Sequence, residues 1–118
     1  MTHPTRGQVY LVRFDPTIGH EIQKTRPALI IQNDIGNKFS PVTIVAAITS
    51  KLAQVPYPVE VSVSPTKQNG LTAPSAIHLD QIRSVDRKRL VKPLGKIDQQ
   101  TMAKVDEAIK ISLGLISI

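Results

Sequence analysis

The sequence predicts a mainly β domain: a small, strongly bent sheet or barrel with one C-terminal α-helix packed on it. Three observations carry this. Short runs rich in β-branched and aliphatic residues recur along most of the chain, separated by Pro, Gly and Asn turns. Helical periodicity is confined to the last stretch, and strands and helices never alternate in the rhythm of a parallel sheet.

The first run is Gln8-Val9-Tyr10-Leu11-Val12-Arg13-Phe14, bounded by Gly7 and by Asp15-Pro16, which marks a strand. Residues 15–26 then make a connection longer than a compact domain usually needs, the kind that is functional or mobile. Pro27 opens a strand but does not suit its middle, so the second strand is expected over Ala28–Gln32, stopped by the turn formers Asn33-Asp34 and Gly36-Asn37. Val42–Thr49 is a continuous apolar run, expected to be buried on both faces and to surface at Thr49-Ser50-Lys51. Val59–Val63 alternates, with Glu60 and Ser62 expected to face outward. Residues 64–75, with Asn69-Gly70, read as a loop; Ala76–Val85 resumes the β pattern, and Pro93–Ile97 suits a short edge strand. Asp98 is placed to cap a final helix whose Met102, Val105, Ala108, Ile109 and Ser112 recur at helical steps.

At 118 residues and 41% hydrophobic content the chain suits one domain spanning residues 1–118. No apolar run approaches the roughly 18 to 20 residues of a membrane span, and MTHPTRGQVY lacks the apolar middle of a secretory signal, so a cytoplasmic protein without a membrane partner is expected. The absence of cysteine excludes disulfides, zinc-thiolate sites and thiol catalysis. His3, His20 and His78 are too scattered to read as a ligand pair, so neither metal nor cofactor is expected. A formal charge of +6, from 15 Lys and Arg against 9 Asp and Glu, favours a polyanionic partner, although a soluble basic protein without one fits the charge too.

Three polar groups stand at the ends of buried strands: Glu21, Lys24 and Arg26 before the second; Thr49, Ser50 and Lys51 after the third; Asp80, Gln81 and Arg83 on a later one. If the second and third strands are antiparallel neighbours, Arg26 and Thr49 share an edge. A permanently charged guanidinium beside a hydroxyl suits a phosphate, and it suits the negative charge that builds when a ribose 2′-OH attacks the adjacent phosphorus. The same residues also fit a plainer description. Arg26 then pairs with Glu21 in a loop, Thr49 merely ends a strand, His20 is solvated, and Gln81 and Arg83 satisfy buried polar groups. Tyr10, Phe14, Phe39 and Tyr57 are the only aromatics, too few for a base-stacking platform. Tyr10 and Phe14 belong to the core, leaving Phe39 and Tyr57 in loops where a base is reachable.

The stretches RGQVYLVRFDPTIGHE, KTRPALIIQNDIGN, PVTIVAAITS, AIHLDQIRSVDRKRL and KVDEAIKISLGL, in this order, resemble the MazF/PemK toxin family of toxin–antitoxin systems across nearly the whole chain. The resemblance implies a small SH3-like β-barrel of the CcdB/PemK type with a C-terminal helix, acting as a homodimer. It further implies a sequence-specific, metal-independent endoribonuclease that cuts single-stranded mRNA, leaving 2′,3′-cyclic phosphate and 5′-OH ends. Arg26 of the TRP motif and Thr49 of the strand-end AITS motif match the catalytic pair, and Glu21 matches an acidic position lining the same site. An arginine gives up a proton with difficulty. The expected division of labour therefore has Arg26 stabilise transition-state charge, Thr49 position the phosphate or 2′-OH, and Glu21 or a water take the proton.

His20, Lys24, Asn33, Ser50, Lys51, Tyr57 and Gln81 complete the expected RNA-contacting set, with the loops over residues 51–58 and 64–75 helping to read bases. The resemblance also implies a cognate antitoxin whose acidic, disordered segment folds on contact with the basic groove. Ile111, Leu113, Leu115, Ile116 and Ile118 exceed what one helix face needs, which fits either a dimer interface or a local core. The alternative function is that of a non-catalytic toxin of the same fold, a CcdB-like gyrase inhibitor that binds a protein.

Overall fold

Val42–Thr49 is apolar on both sides of its pleat, and the protein uses both. In the computed structural model, which describes residues 3–21, 23–52 and 57–118, this strand (β3) lies inside a six-stranded sheet. The other elements are β1 (Gln8–Arg13), β2 (Thr25–Ile30), a short helix α1 (Asp34–Phe39), β4 (Glu60–Val63), β5 (Ser75–Asp86), β6 (Leu90–Lys96) and the terminal helix α2 (Gln99–Ser112). The spatial order is β4-β5-β3-β2-β1-β6, with every neighbouring pair antiparallel.

Alternate residues of β3 feed two cores. Ala46 and Ile48 join Val9, Leu29, Ile77 and Leu79 on the face covered by α2, which contributes Val105 and Ala108. Val45 and Ala47 join Val12, Phe14, Ala28, Ile30 and Val85 on the other face. The helix docks with the predicted residues: Met102 and Ile109 pack beside Val105 and Ala108. Ser112 Oγ donates to the Leu79 carbonyl at 2.6 Å.

That carbonyl lies where β5 slips against β3. Ala46 pairs with Ile82 but Ala47 with His78, so Leu79, Asp80 and Gln81 bulge out of the ladder. Such a bulge bends its strand and re-aims the side chains within it. With β4 and β6 at the two edges, the described residues show no ladder that closes the sheet into a full barrel. Loop contact links the two ends instead. The β4–β5 connection lies on β6, where the Lys96 amide donates to the Gln68 carbonyl at 2.8 Å.

Several boundaries differ from the sequence expectation. The turn signals at 33–37 build α1: Asn33 Oδ1 caps it by accepting from the Gly36 amide at 2.8 Å. The buried Asn37 bonds to Gln32 and Thr43. Those side-chain bonds, local and tertiary together, stabilise a helical turn over an open one. β2 begins at Thr25 and carries Pro27 inside it. Proline is tolerated there because that stretch pairs with β1 alone; the β2–β3 ladder stops at Ala28 opposite Ala47. Glu60 does not face solvent, for its side chain is only 10% exposed and lies against His78. Residues 53–56, within one of the loops expected to read bases, and Ile22 lie outside the described residues.

The close approach of Gly95 to the Gln68–Asn69 backbone has a measurable consequence. A Cβ at position 95 would sit 2.3 Å from the Gln68 carbonyl oxygen and 2.4 Å from the Asn69 carbonyl carbon. Gly95→Ala is expected to destabilise the fold by about 2 kcal/mol or more, measured by chemical denaturation. The α2 cap makes stability depend on pH. The side-chain hydroxyl and backbone amide of Thr101 both donate to Asp98 and hold its carboxyl below the usual aspartate range. A depressed carboxyl contributes stability above its unfolded pKa and loses it as pH falls through the folded one. The thermal advantage of wild type over Asp98→Ala should therefore shrink as pH is lowered from about 5 towards 2.

Candidate active site

Strand parity determines which polar groups meet. Arg26, Ala28 and Ile30 are alternate residues of β2, as are Val45, Ala47 and Thr49 of β3, so Arg26 and Thr49 prolong the row that builds the second core. The paired residues run Ile30 with Val45, Leu29 with Ala46 and Ala28 with Ala47. Continuing that register sets Arg26 opposite Thr49. Pro27 has no N–H to extend the ladder, and the two strand ends flank an open cleft.

The cleft has two lobes, and Arg26 and Thr49 line both. One, of about 270 Å³, adds Ser50, Leu71, Thr72 and Ser75. The other, of about 370 Å³, adds Lys51, Glu60, His78, Asp80 and Gln81. A larger cavity of about 560 Å³ shares Asp80 and Gln81 with the second lobe and continues to His20, Glu21 and Arg83. Its volume, greater than that of either lobe alone, does not make it the chemical centre, because Arg26 and Thr49 line both lobes of the cleft and not this cavity.

The backbone just before Arg26 is pinned by local hydrogen bonds. Lys24 adopts a left-handed backbone, φ 67°, a conformation costing roughly 1 to 2 kcal/mol for a residue with a Cβ. Hydrogen bonds from the Lys24 amide to Asp15 Oδ1 at 2.9 Å and from the Phe14 amide to the Lys24 carbonyl at 2.8 Å hold it. Arg26 Nε donates to the Gln23 carbonyl at 3.0 Å, which orients the guanidinium. The base of the loop is tied down by Arg83, donating to the Phe14 carbonyl at 2.8 Å. Arg89 adds bonds to the Arg13 and Asp15 carbonyls at 3.0 and 2.6 Å. Arg83, one of the polar strand residues singled out in the sequence, thus serves the scaffold.

Thr49 Oγ1 lies 2.8 Å from His78 Nε2 and 3.4 Å from the Lys51 carbonyl. On the far side of the ring, His78 Nδ1 lies 3.5 Å from Glu60 and 3.7 Å from Asp80. Sequence reasoning missed His78 and Glu60 as site residues. A lone histidine in a β run carries no spacing signal, and the alternation at Glu60 pointed to solvent. Only the pairing of Glu60 with His78 across β4 and β5, and the bulge that follows His78, bring them to Thr49.

The other expected contacts divide. Ser50, Lys51 and Gln81 line the Arg26–Thr49 cleft. His20 and Glu21 line the adjoining cavity and not that cleft, with Gln81 Nε2 reaching the His20 carbonyl at 3.5 Å. Lys24 and Tyr57 are exposed. Asn33 lies past the opposite end of β2, roughly 20 Å along the strand from Arg26 at ordinary strand rise, and its side-chain oxygen caps α1.

A family model described as PemK-like, MazF-like toxin of type II toxin-antitoxin system matches residues 5–113. A Bacillus subtilis (strain 168) protein named Endoribonuclease EndoA is 46% identical over 111 residues, covering 94% of this chain and 95% of that protein. Among solved structures, MazF from Deinococcus radiodurans superposes with a TM-score of 0.81 at 28% identity, covering 97% of this chain and 99% of that one. An endoribonuclease in complex with its cognate antitoxin, from a mycobacterial species, gives a TM-score of 0.78 at 25% identity, with 98% and 99% covered.

Proposed function

The chain belongs to the PemK-like, MazF-like toxins of type II toxin–antitoxin systems, and we propose that it is an RNA-cleaving toxin whose chemistry is done in the Arg26–Thr49 cleft. The observation that carries the reading is the meeting of that guanidinium and that hydroxyl at the open end of two buried strands. The B. subtilis relative's name, Endoribonuclease EndoA, supports the reaction class. The CcdB-like gyrase-inhibitor alternative is not favoured by these likenesses.

In this mechanism the ribose 2′-oxygen attacks the adjacent phosphorus, a 2′,3′-cyclic phosphate forms, and the 5′-oxygen leaves and is protonated. Negative charge grows on the non-bridging oxygens. Arg26, oriented through its Nε bond, presents its remaining donors to that charge, and Thr49 holds the phosphate or the 2′-OH. Ser50, Lys51 and Gln81 contact nucleotides beside the cut, while His20 and Glu21 in the adjoining cavity, with the exposed Lys24 and Tyr57, take the flanking strand. Base contacts along this path give sequence specificity, and the reaction proceeds without a metal or cofactor. The substrate is single-stranded mRNA, which places the protein in the cytoplasm.

Two protein partners belong to the same proposal. The mycobacterial relative was solved with its cognate antitoxin. A net charge of +6 suits an acidic antitoxin segment that folds on binding and competes with RNA. Leu113, Leu115, Ile116 and Ile118 are exposed around the end of α2, apolar surface that a homodimer interface would cover.

Incubation with a long single-stranded RNA in EDTA should yield discrete fragments ending in cyclic phosphate; intact RNA would overturn the reading. Arg26→Lys, which keeps the charge and loses the planar fork, and Thr49→Val should each lower kcat on the order of 100-fold to 1000-fold. Both variants should still bind RNA, as gel shift would report. RNA affinity should fall steeply as salt is raised from about 50 to 200 mM, because phosphate contacts release counterions; a flat response would count against a basic RNA path.

A further inference from the structure

Resting on the ribonuclease reading above, we propose that His78 is the proton acceptor behind Thr49, so that the 2′-OH proton leaves by way of the threonine hydroxyl. The ring has a hydrogen-bond partner on one side and carboxylates nearby on the other. Nε2 lies 2.8 Å from Thr49 Oγ1, a hydrogen-bond distance, while Nδ1 faces Glu60 at 3.5 Å and Asp80 at 3.7 Å. Two carboxylates beside Nδ1 favour a proton on that nitrogen, which leaves Nε2 as a lone-pair acceptor aimed at Thr49.

The contacts determine which way the threonine hydroxyl points. With Nε2 unprotonated, Thr49 donates to His78, and its oxygen lone pairs are open to accept from a 2′-OH in the cleft. With Nε2 protonated, the ring donates to Oγ1, and the hydroxyl turns towards the Lys51 carbonyl at 3.4 Å or towards phosphate. Only the first arrangement takes a proton from the nucleophile. As the 2′-oxygen forms its bond to phosphorus, its proton passes to Thr49 Oγ1, and the threonine's own proton passes to Nε2. The bond from phosphorus to the 5′-oxygen breaks, that oxygen takes a proton from water, and the imidazolium later returns its proton to water. Atoms and charge balance without a co-reactant.

The surroundings suit a transient imidazolium. The His78 side chain is 15% exposed and Glu60 10%, so charge formed on the ring is met by a carboxylate largely shielded from water, with the half-exposed Asp80 as a second. The other charged groups lining this lobe are Arg26 from β2 and Lys51 after β3, both cations. In the proposed mechanism both serve the phosphate. Ala47, opposite His78 on β3, carries only a methyl group, so the imidazole has room to lean along the strand to Thr49. His78 touches no substrate in this arrangement and is a positioning residue acting through Thr49.

The test is the pH dependence of cleavage of a fluorogenic single-stranded RNA by wild type, His78→Gln and His78→Ala. Wild-type kcat should rise with pH across the range in which histidine side chains lose their proton, about pH 5 to 8. In His78→Gln that limb should vanish and kcat should fall roughly 100-fold. Its KM should stay within a few-fold of wild type, and retained RNA binding reports that it has folded. His78→Ala opens a space onto the cleft, and added imidazole should restore its rate at least about tenfold, in its unprotonated form. A limb that survives His78→Gln, an unchanged kcat, or a His78→Ala rate indifferent to imidazole overturns the relay while leaving the ribonuclease reading intact. A wild-type chain that leaves RNA whole overturns both.

Discussion

A strand buried on both faces leaves its polar side chains few places other than its ends, and β3 is such a strand. Val45, Ala46, Ala47 and Ile48 are each at most 1% exposed, divided between two cores. An unpaired polar group among them would lose its hydration with nothing in return. Thr49 is therefore held at the point where the core stops. Because β2 runs antiparallel to β3 and is buried over Ala28–Ile30, the same rule puts Arg26 at the same boundary. The site is the place where two buried strands run out of core together.

Proline sharpens that boundary. Pro27 ends the β2–β3 ladder without ending β2, because β1 still pairs with Thr25, Arg26 and Pro27 from the other side. Arg26 is thus attached to a rigid strand along one edge and open along the other. The left-handed Lys24, braced by Asp15, fixes the backbone two residues before Arg26. A functional group on a strand end with one free edge is more firmly placed than one on a loop, yet it remains reachable by an extended chain.

The slip in β5 does for the other wall what Pro27 does for β2. By lifting Leu79, Asp80 and Gln81 out of register, it ends the straight ladder beside Ala47 and gathers His78 and Asp80 around Thr49. Ser112 from α2 satisfies the Leu79 carbonyl inside the bulge. The terminal helix therefore supports the geometry of the site although it contributes no residue to the Arg26–Thr49 cleft. The bend of the strand, the hydrogen bond from Ser112 and the placing of Asp80 and Gln81 beside the cleft all involve one irregularity in one strand.

By itself the sequence determined the mainly β class, the terminal helix with its Met102–Val105–Ala108–Ile109 face, the double burial of β3 over residues 45–48, though not at the exposed Val42, and the candidacy of Arg26 and Thr49. Each of these rests on local periodicity or on a charge abutting an apolar run, and both are written in consecutive residues. The tertiary structure decided the rest. It folded the 33–37 turn into α1 through the contact of Asn37 with Thr43, drew Asn33 away to cap that helix, and separated Glu21 into an adjoining cavity. It also turned Glu60 inward and set His78 against Thr49. Residues 49, 60 and 78 are brought together by strand pairing and by a register shift. A shift in register is a property of two strands at once, so neither strand's own pattern records it.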